Sequence, residues 1–99
     1  IKKGNCIMVI WSIPAKEDLK RIHDYISEDS KFYARQVIDN AVAKADSLLD
    51  FPKMGRQVPE ISDPDIREIP IYSYRLIYKC QNEDIEVLTI VHSRQLYAP

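Results

Sequence analysis

The sequence predicts an α+β domain: one strand, a helical hairpin, then a three-stranded antiparallel meander. Three observations carry that reading. Between residues 12 and 48 the apolar residues recur every three or four positions, the spacing of one helix face. From residue 67 onward the spacing falls to two, the period of a strand. Between these regimes lies KMGRQVPEISDPD, whose Gly55, Pro59 and Pro64 interrupt every period and read as a loop. Helices gathered in one half of the chain and strands in the other favour helices segregated on a largely antiparallel sheet.

The elements follow in order. MVIWS, from Met8, is short, apolar and β-rich, hence a strand. In SIPAKEDLKRIHDYISE, Ala15, Leu19, Ile22 and Ile26 share a helical face, while Lys16, Glu17, Asp18, Lys20, Arg21 and Asp24 cover the other. Ser12 is placed to cap this helix, and Pro14 suits its first turn, where no N–H is needed. A second stripe, Ala34, Val37, Ile38, Ala41, Ala45 and Leu48, runs until Phe51 and Pro52 stop it. The short EDS turn between the helices predicts an antiparallel pair. REIPIYS, YRLIYKC and IEVLTIVHSR read as strands, the last two joined across QNED by a turn longer than two residues. Pro70 has no N–H for a ladder, so its strand is an edge or carries a bulge there.

Composition narrows the function classes. The chain has 99 residues, 45% hydrophobic and 29% charged, enough for one small core. Residues 8–99 are expected to form a single domain, with residues 1–7 an extension or the lead-in to the first strand. No apolar run spans a bilayer and no export signal is evident, which points to the cytoplasm and no membrane partner. Cys6 and Cys80 lie far apart without metal-ligand spacing and read as free thiols. Fourteen basic residues against fifteen acidic ones give a net charge of −1, which does not favour general nucleic-acid binding. It leaves room for a local cluster among Arg56, Arg67, Arg75 and Arg94. No glycine-rich phosphate loop, zinc-type spacing or nucleophile elbow is present, so neither a cofactor nor a metal is implied.

The candidate residues lie in the last two strands. In YRLIYKC, Tyr74, Leu76, Tyr78 and Cys80 share one face and Arg75, Ile77 and Lys79 the other. Arg75 is either a solvated sheet residue or a planar cation aimed at a phosphate or carboxylate. His92, in phase with Leu88 and Ile90, is expected to be half-buried and satisfied; as a general acid or base it would have to stand exposed at the strand end. Arg94 and Tyr97 are surface residues by default, and His23 belongs to the polar side of the first helix.

W-x-x-x-A-x-x-D-L from Trp11 to Leu19, IHDYI, P-x-M-G-R from Pro52 to Arg56 followed by PE, then RE, YRLIY and I-x-V-L-x-I-V-H-S-R form an ordered set. Together they resemble the RelE/ParE superfamily of toxins from bacterial type II toxin–antitoxin modules, over nearly the whole chain from Met8 to Arg94. The resemblance implies a microbial-ribonuclease-like architecture and a cognate antitoxin as partner, often in a heterotetramer. It also implies one of two activities. RelE-type members cut mRNA on the ribosome: the ribose 2′-OH attacks the adjacent phosphate while cations steady the developing charge. In that branch Arg75 and, approximately, Arg94 match catalytic arginines, Tyr97 lies near a C-terminal tyrosine, and His92 would serve as base. The lysines that branch carries before its YR motif are replaced here by Ile66 and Glu68, and Glu68 is a poor neighbour for a phosphate. ParE-type members inhibit DNA gyrase by binding. The long helical hairpin, P-x-M-G-R and the H-S-R ending look more like that branch, in which Arg67 would fix the loop before the sheet. A third expectation keeps the fold and the antitoxin contact without toxicity.

Overall fold

The computed structural model describes residues 6–98; most of the expected N-terminal extension therefore lies outside the described residues. Seven elements follow one another: β1 (Met8–Trp11), α1 (Ile13–Ser27), α2 (Lys31–Ser47), β2 (Arg56–Gln57), β3 (Ile66–Ile71), β4 (Tyr74–Gln81) and β5 (Asp84–His92). They build a five-stranded sheet in the order β1-β5-β4-β3-β2. The β5-β4-β3 meander and β2 pair antiparallel, while β1 lies parallel to β5. The expected strand, helical hairpin and meander are all present.

Local chemistry accounts for the helix boundaries. The Ser12 hydroxyl accepts the Ala15 N–H at 3.1 Å, and Ser30 accepts that of Tyr33 at 3.0 Å, so each helix has a side-chain cap for an otherwise unpaired donor. The end of α2 falls at Ser47, ahead of the expected stop at Phe51 and Pro52, because Leu48 and Leu49 donate three residues back and tighten the last turn. Leu48 is fully buried all the same. Ala15, Ala34, Ala41 and Ala45 are buried at the inner face of the hairpin. Their short side chains allow close approach of the helices to each other and to the sheet. The core joins Ile22, Val37 and Leu48 of the helical segment to Ile69, Ile71, Leu76, Tyr78, Ile85, Val87 and Ile90 of the sheet.

Four sequence expectations need correction. The segment read wholly as loop contains β2, whose Arg56 and Gln57 pair with Glu68 and Arg67. A two-residue strand leaves no period to detect. Because β2 stops there, β3 has an open edge at Pro70, the place the missing N–H demands, and Lys44 Nζ donates to the Pro70 carbonyl at 2.9 Å. Second, QNED closes as a two-residue turn: Gln81 pairs with Asp84, and Asn82 takes the left-handed conformation with φ 57°. The β3–β4 connection is equally tight, Ile71 opposing Tyr74, and the left-handed residue there is Tyr72 at φ 54°. Third, Asp18 is buried rather than on the polar face. Beyond Val87 the β1 ladder ends, and Asp18 takes up the Ile90 N–H at 3.0 Å and the Thr89 hydroxyl, while Ser12 Oγ donates to Leu88 O at 2.9 Å. Fourth, β4 and β5 shift register between Ile77 and Tyr78, which leaves Leu88 as an extra residue on β5. Leu88 falls out of phase there, whereas Ile90 and His92 still share a face; His92 is exposed instead of half-buried because it is the last residue of β5.

Candidate functional site

The sheet has two faces with different coverings. Leu76 and Tyr78 point into the helices, whereas Arg75 and Ile77 alternate to the other side, yet Ile77 is fully buried. This second face is closed by the segment after β2 and by the C-terminal tail, both of which reach Arg75. Arg75 is only 8% exposed. Its Nη1 donates to Glu68 Oε1 at 2.6 Å and to Glu60 Oε1 at 3.2 Å, and its Nη2 to Glu60 Oε2 at 2.7 Å and to the Gln95 carbonyl at 2.6 Å. Glu60 in turn accepts the Tyr97 N–H at 2.9 Å, and Glu68 accepts Arg56 Nε at 2.7 Å. Glu68 lies on β3 diagonally across from Arg75, in register with Ile77, which places the acid on the same face as the guanidinium.

The electrostatics follow from this enclosure. Two arginines and two glutamates balance, so the network presents little net charge outward. The Arg75 guanidinium, then the Tyr97 N–H, hold the Glu60 carboxyl down at about 2. The hydrogen bond to Glu60 pushes Arg75 above the usual arginine value against the opposing effect of burial. Burial raises the Tyr97 phenol.

The segment that carries P-x-M-G-R is fastened next to this network. The Tyr78 hydroxyl donates to Pro52 O at 2.8 Å and accepts the Gly55 N–H at 3.0 Å, and Arg67 Nη1 donates to Gly55 O at 2.9 Å. Arg67 thus fixes this loop. A Cβ on Gly55 would stand 2.5 Å from the Glu68 carbonyl oxygen and 2.8 Å from the Tyr78 hydroxyl, so only glycine lets the two backbones approach.

The other candidates divide between the faces. His92 pairs across the ladder with Tyr74, the neighbour of Arg75, so His92 and Arg75 project from opposite sides of the sheet. The imidazole meets the Tyr74 ring edge-on, with centroids 5.8 Å apart. Its Nδ1 accepts the Arg94 N–H at 3.2 Å, and the Arg94 side chain is exposed. Tyr97 joins Arg75 through its backbone and Glu60, not through its phenol. Arg56 was singled out only as a member of a possible arginine cluster, and neither Glu60 nor Gln95 was given a role from the sequence. The signal available for them was Glu68 itself, an acid where a basic strand was expected, whose partners only the hairpin register could reveal. Among the described residues no cluster of three or more histidine, cysteine or acidic side chains is placed to hold a metal. No helix among them is long and apolar enough to cross a membrane.

This architecture has known counterparts. A curated relative, Toxin RelE2 of Caulobacter vibrioides, is 28% identical over 89 residues, covering 89% of this chain and 97% of that protein. A solved structure, the chromosomal ParDE TA system from P. aeruginosa, superposes with a TM-score of 0.71 at 19% identity, covering 87% of this chain and 95% of that one. Residues 9–97 match the family described as the ParE toxin of the type II toxin-antitoxin system, parDE. A match that runs from β1 to the tail held by Glu60, on a fold shared with a ParDE structure, shows that the chain belongs to the ParE toxin family of type II toxin–antitoxin systems.

Proposed function

We propose that this toxin arrests growth as an inhibitor of DNA gyrase, acting by binding, and that it is neutralised by a cognate antitoxin. One observation carries the choice against ribosome-dependent mRNA cleavage: Arg75, the best match to a ribonuclease arginine, is buried against Glu60 and Glu68, while His92 projects from the opposite face. A guanidinium that already donates to two carboxylates and a carbonyl has little left for a scissile phosphate. An imidazole on the far side of the sheet cannot take a proton from a ribose held at Arg75. The curated relative bears a RelE name, and its likeness supports the shared toxin family without distinguishing these targets.

The antitoxin reading rests on family membership and on exposed apolar side chains along the helical hairpin. Tyr25, Phe32, Tyr33 and Val42 are 70%, 74%, 41% and 40% exposed. An antitoxin tail that folds on binding would lay an amphipathic helix against them.

Purified toxin, freed of antitoxin, decides between the targets in parallel assays of gyrase supercoiling and of mRNA cleavage on programmed ribosomes. The expected result is lost supercoiling with intact mRNA. Codon-positioned cuts with normal gyrase would overturn the proposal and make Arg75, His92, Arg94 and Tyr97 the first residues to mutate. Normal growth on expression without antitoxin would instead indicate an antitoxin-binding module that has lost toxicity.

A further inference from the structure

A cleft of about 230 Å³ opens on the helix side of the sheet, between the C-terminal half of α1 and the end of β5. Its polar lining is Arg21, Tyr25, Tyr74, His92 and Gln95. Every one of these side chains can donate a hydrogen bond, and none is a carboxylate, in a chain with fifteen acidic residues. The neighbouring structure fixes two of the donors. Asp18, anchored to the Ile90 N–H, holds Arg21 Nη2 at 2.7 Å, which fixes one arm of a guanidinium that lines the cleft. The Arg94 N–H occupies His92 Nδ1, so the neutral imidazole carries its proton on Nε2, as a donor facing away from the backbone. Tyr74 is held against His92 edge to face, and burial keeps its phenol protonated above the usual tyrosine range. Ile22, Ile90 and Val91 line the cleft beside these donors.

We propose that this cleft binds an oxyanion, the phosphoryl group of a nucleotide, with Arg21, His92 and Tyr74 as donors and the exposed Tyr25 ring as a stacking surface for the base. Donors arriving from one helix and two strands suit a tetrahedral group with several oxygens better than a planar carboxylate. An aromatic ring beside a phosphate contact is the arrangement by which proteins hold single nucleotides and single strands. The phosphoryl group has two sources, a free nucleotide or a polynucleotide backbone. The site lies on the face opposite the Arg75 side chain, shares only Gln95 with its network, and does not depend on which target the toxin inhibits.

The test is an NMR titration of the full chain, following the ring resonances of His92 with His23 as an internal control. The probes are inorganic phosphate, a nucleoside 5′-monophosphate, a short single-stranded oligonucleotide, and acetate. Saturable shifts at His92 and not at His23 are expected with the three phosphates, and weaker ones with acetate. Tighter binding of the oligonucleotide assigns the source to a polynucleotide, and tighter binding of the monophosphate to a free nucleotide. His92→Phe, which keeps a ring against Tyr74 but has no donor, should weaken binding about tenfold when read at the Tyr74 ring, as loss of one charge-assisted hydrogen bond does. Arg21→Gln, read at the His92 ring, should weaken it at least as much. No saturable shift with any phosphate at about 10 mM, ten times the Kd of a millimolar binder, overturns the proposal. So does an equal response to acetate, or unchanged affinity in both variants.

Discussion

Replacing Arg75 with leucine tests whether this arginine is a structural ion rather than a ligand-binding one. The substitution removes four hydrogen bonds, of 2.6 to 3.2 Å, and leaves Glu68, which is 5% exposed, with only Arg56 as a charged partner. Breaking a buried pair from one side costs about 3 to 5 kcal/mol, because the remaining charge is uncompensated. Arg56 reaches Glu68 from a side chain that is 71% exposed and softens that cost only in part. The pair with Glu60 lies nearer solvent and contributes about 1 kcal/mol or less. The expected loss is therefore about 3 kcal/mol, a fall in Tm of roughly 12 to 24 °C for a domain of this size. The double variant Arg75→Leu/Glu68→Leu should recover much of it, since two apolar side chains replace two ions. Chemical denaturation of the wild type, both single variants and the double variant closes the cycle. A loss below about 1 kcal/mol for Arg75→Leu, or a double variant no more stable than the worse single one, would refute the reasoning. A structural role also predicts that variants which still fold keep their toxicity.

Three further outcomes follow from the same geometry. Gly55→Ala should cost about 1 to 3 kcal/mol, because its Cβ meets the Glu68 carbonyl at 2.5 Å and backbone must move; thermal unfolding equal to wild type would show the segment to be slack. The folded Glu60 carboxyl lies at about 2 against an ordinary 4.5, so the stability it contributes is complete above about 4.5 and is lost as pH falls towards 2. The Tyr97 amide resonance reports this directly, and a midpoint at the ordinary value would mean that Arg75 does not hold the tail. Phe32→Glu, at a position 74% exposed on the hairpin, should leave the fold intact and weaken antitoxin binding by tenfold or more; calorimetry showing unchanged affinity there and for Val42→Glu would place the antitoxin elsewhere.

What the sequence determined by itself was whatever depends on a local period or a local motif. The helical stripes, the capping by Ser12, the edge position of Pro70 and the alternation that separates Arg75 from Leu76 all act within a few residues, so the chain displays them directly. The ordered motifs likewise pointed to the toxin superfamily, and the family match agrees. What only the tertiary structure decided depends on register and on segments brought together from a distance. Asp18 reads as solvated because its helix pattern is polar there, and it is buried because β1 ends early and leaves the Ile90 N–H to be satisfied. His92 reads as half-buried from its phase with Leu88 and Ile90; Leu88 is the extra residue of β5, and His92 keeps the face of Ile90 but stands exposed at the strand's end. Glu60 lies in a loop without any pattern, and it meets Arg75 only because the chain folds that loop and the C-terminal tail over the same face of the sheet. Periodicity records which way a side chain points along its own element; it carries no record of which distant backbone groups are left unpaired, and it was those groups and charges that fixed the roles of Asp18, Glu60 and Arg75.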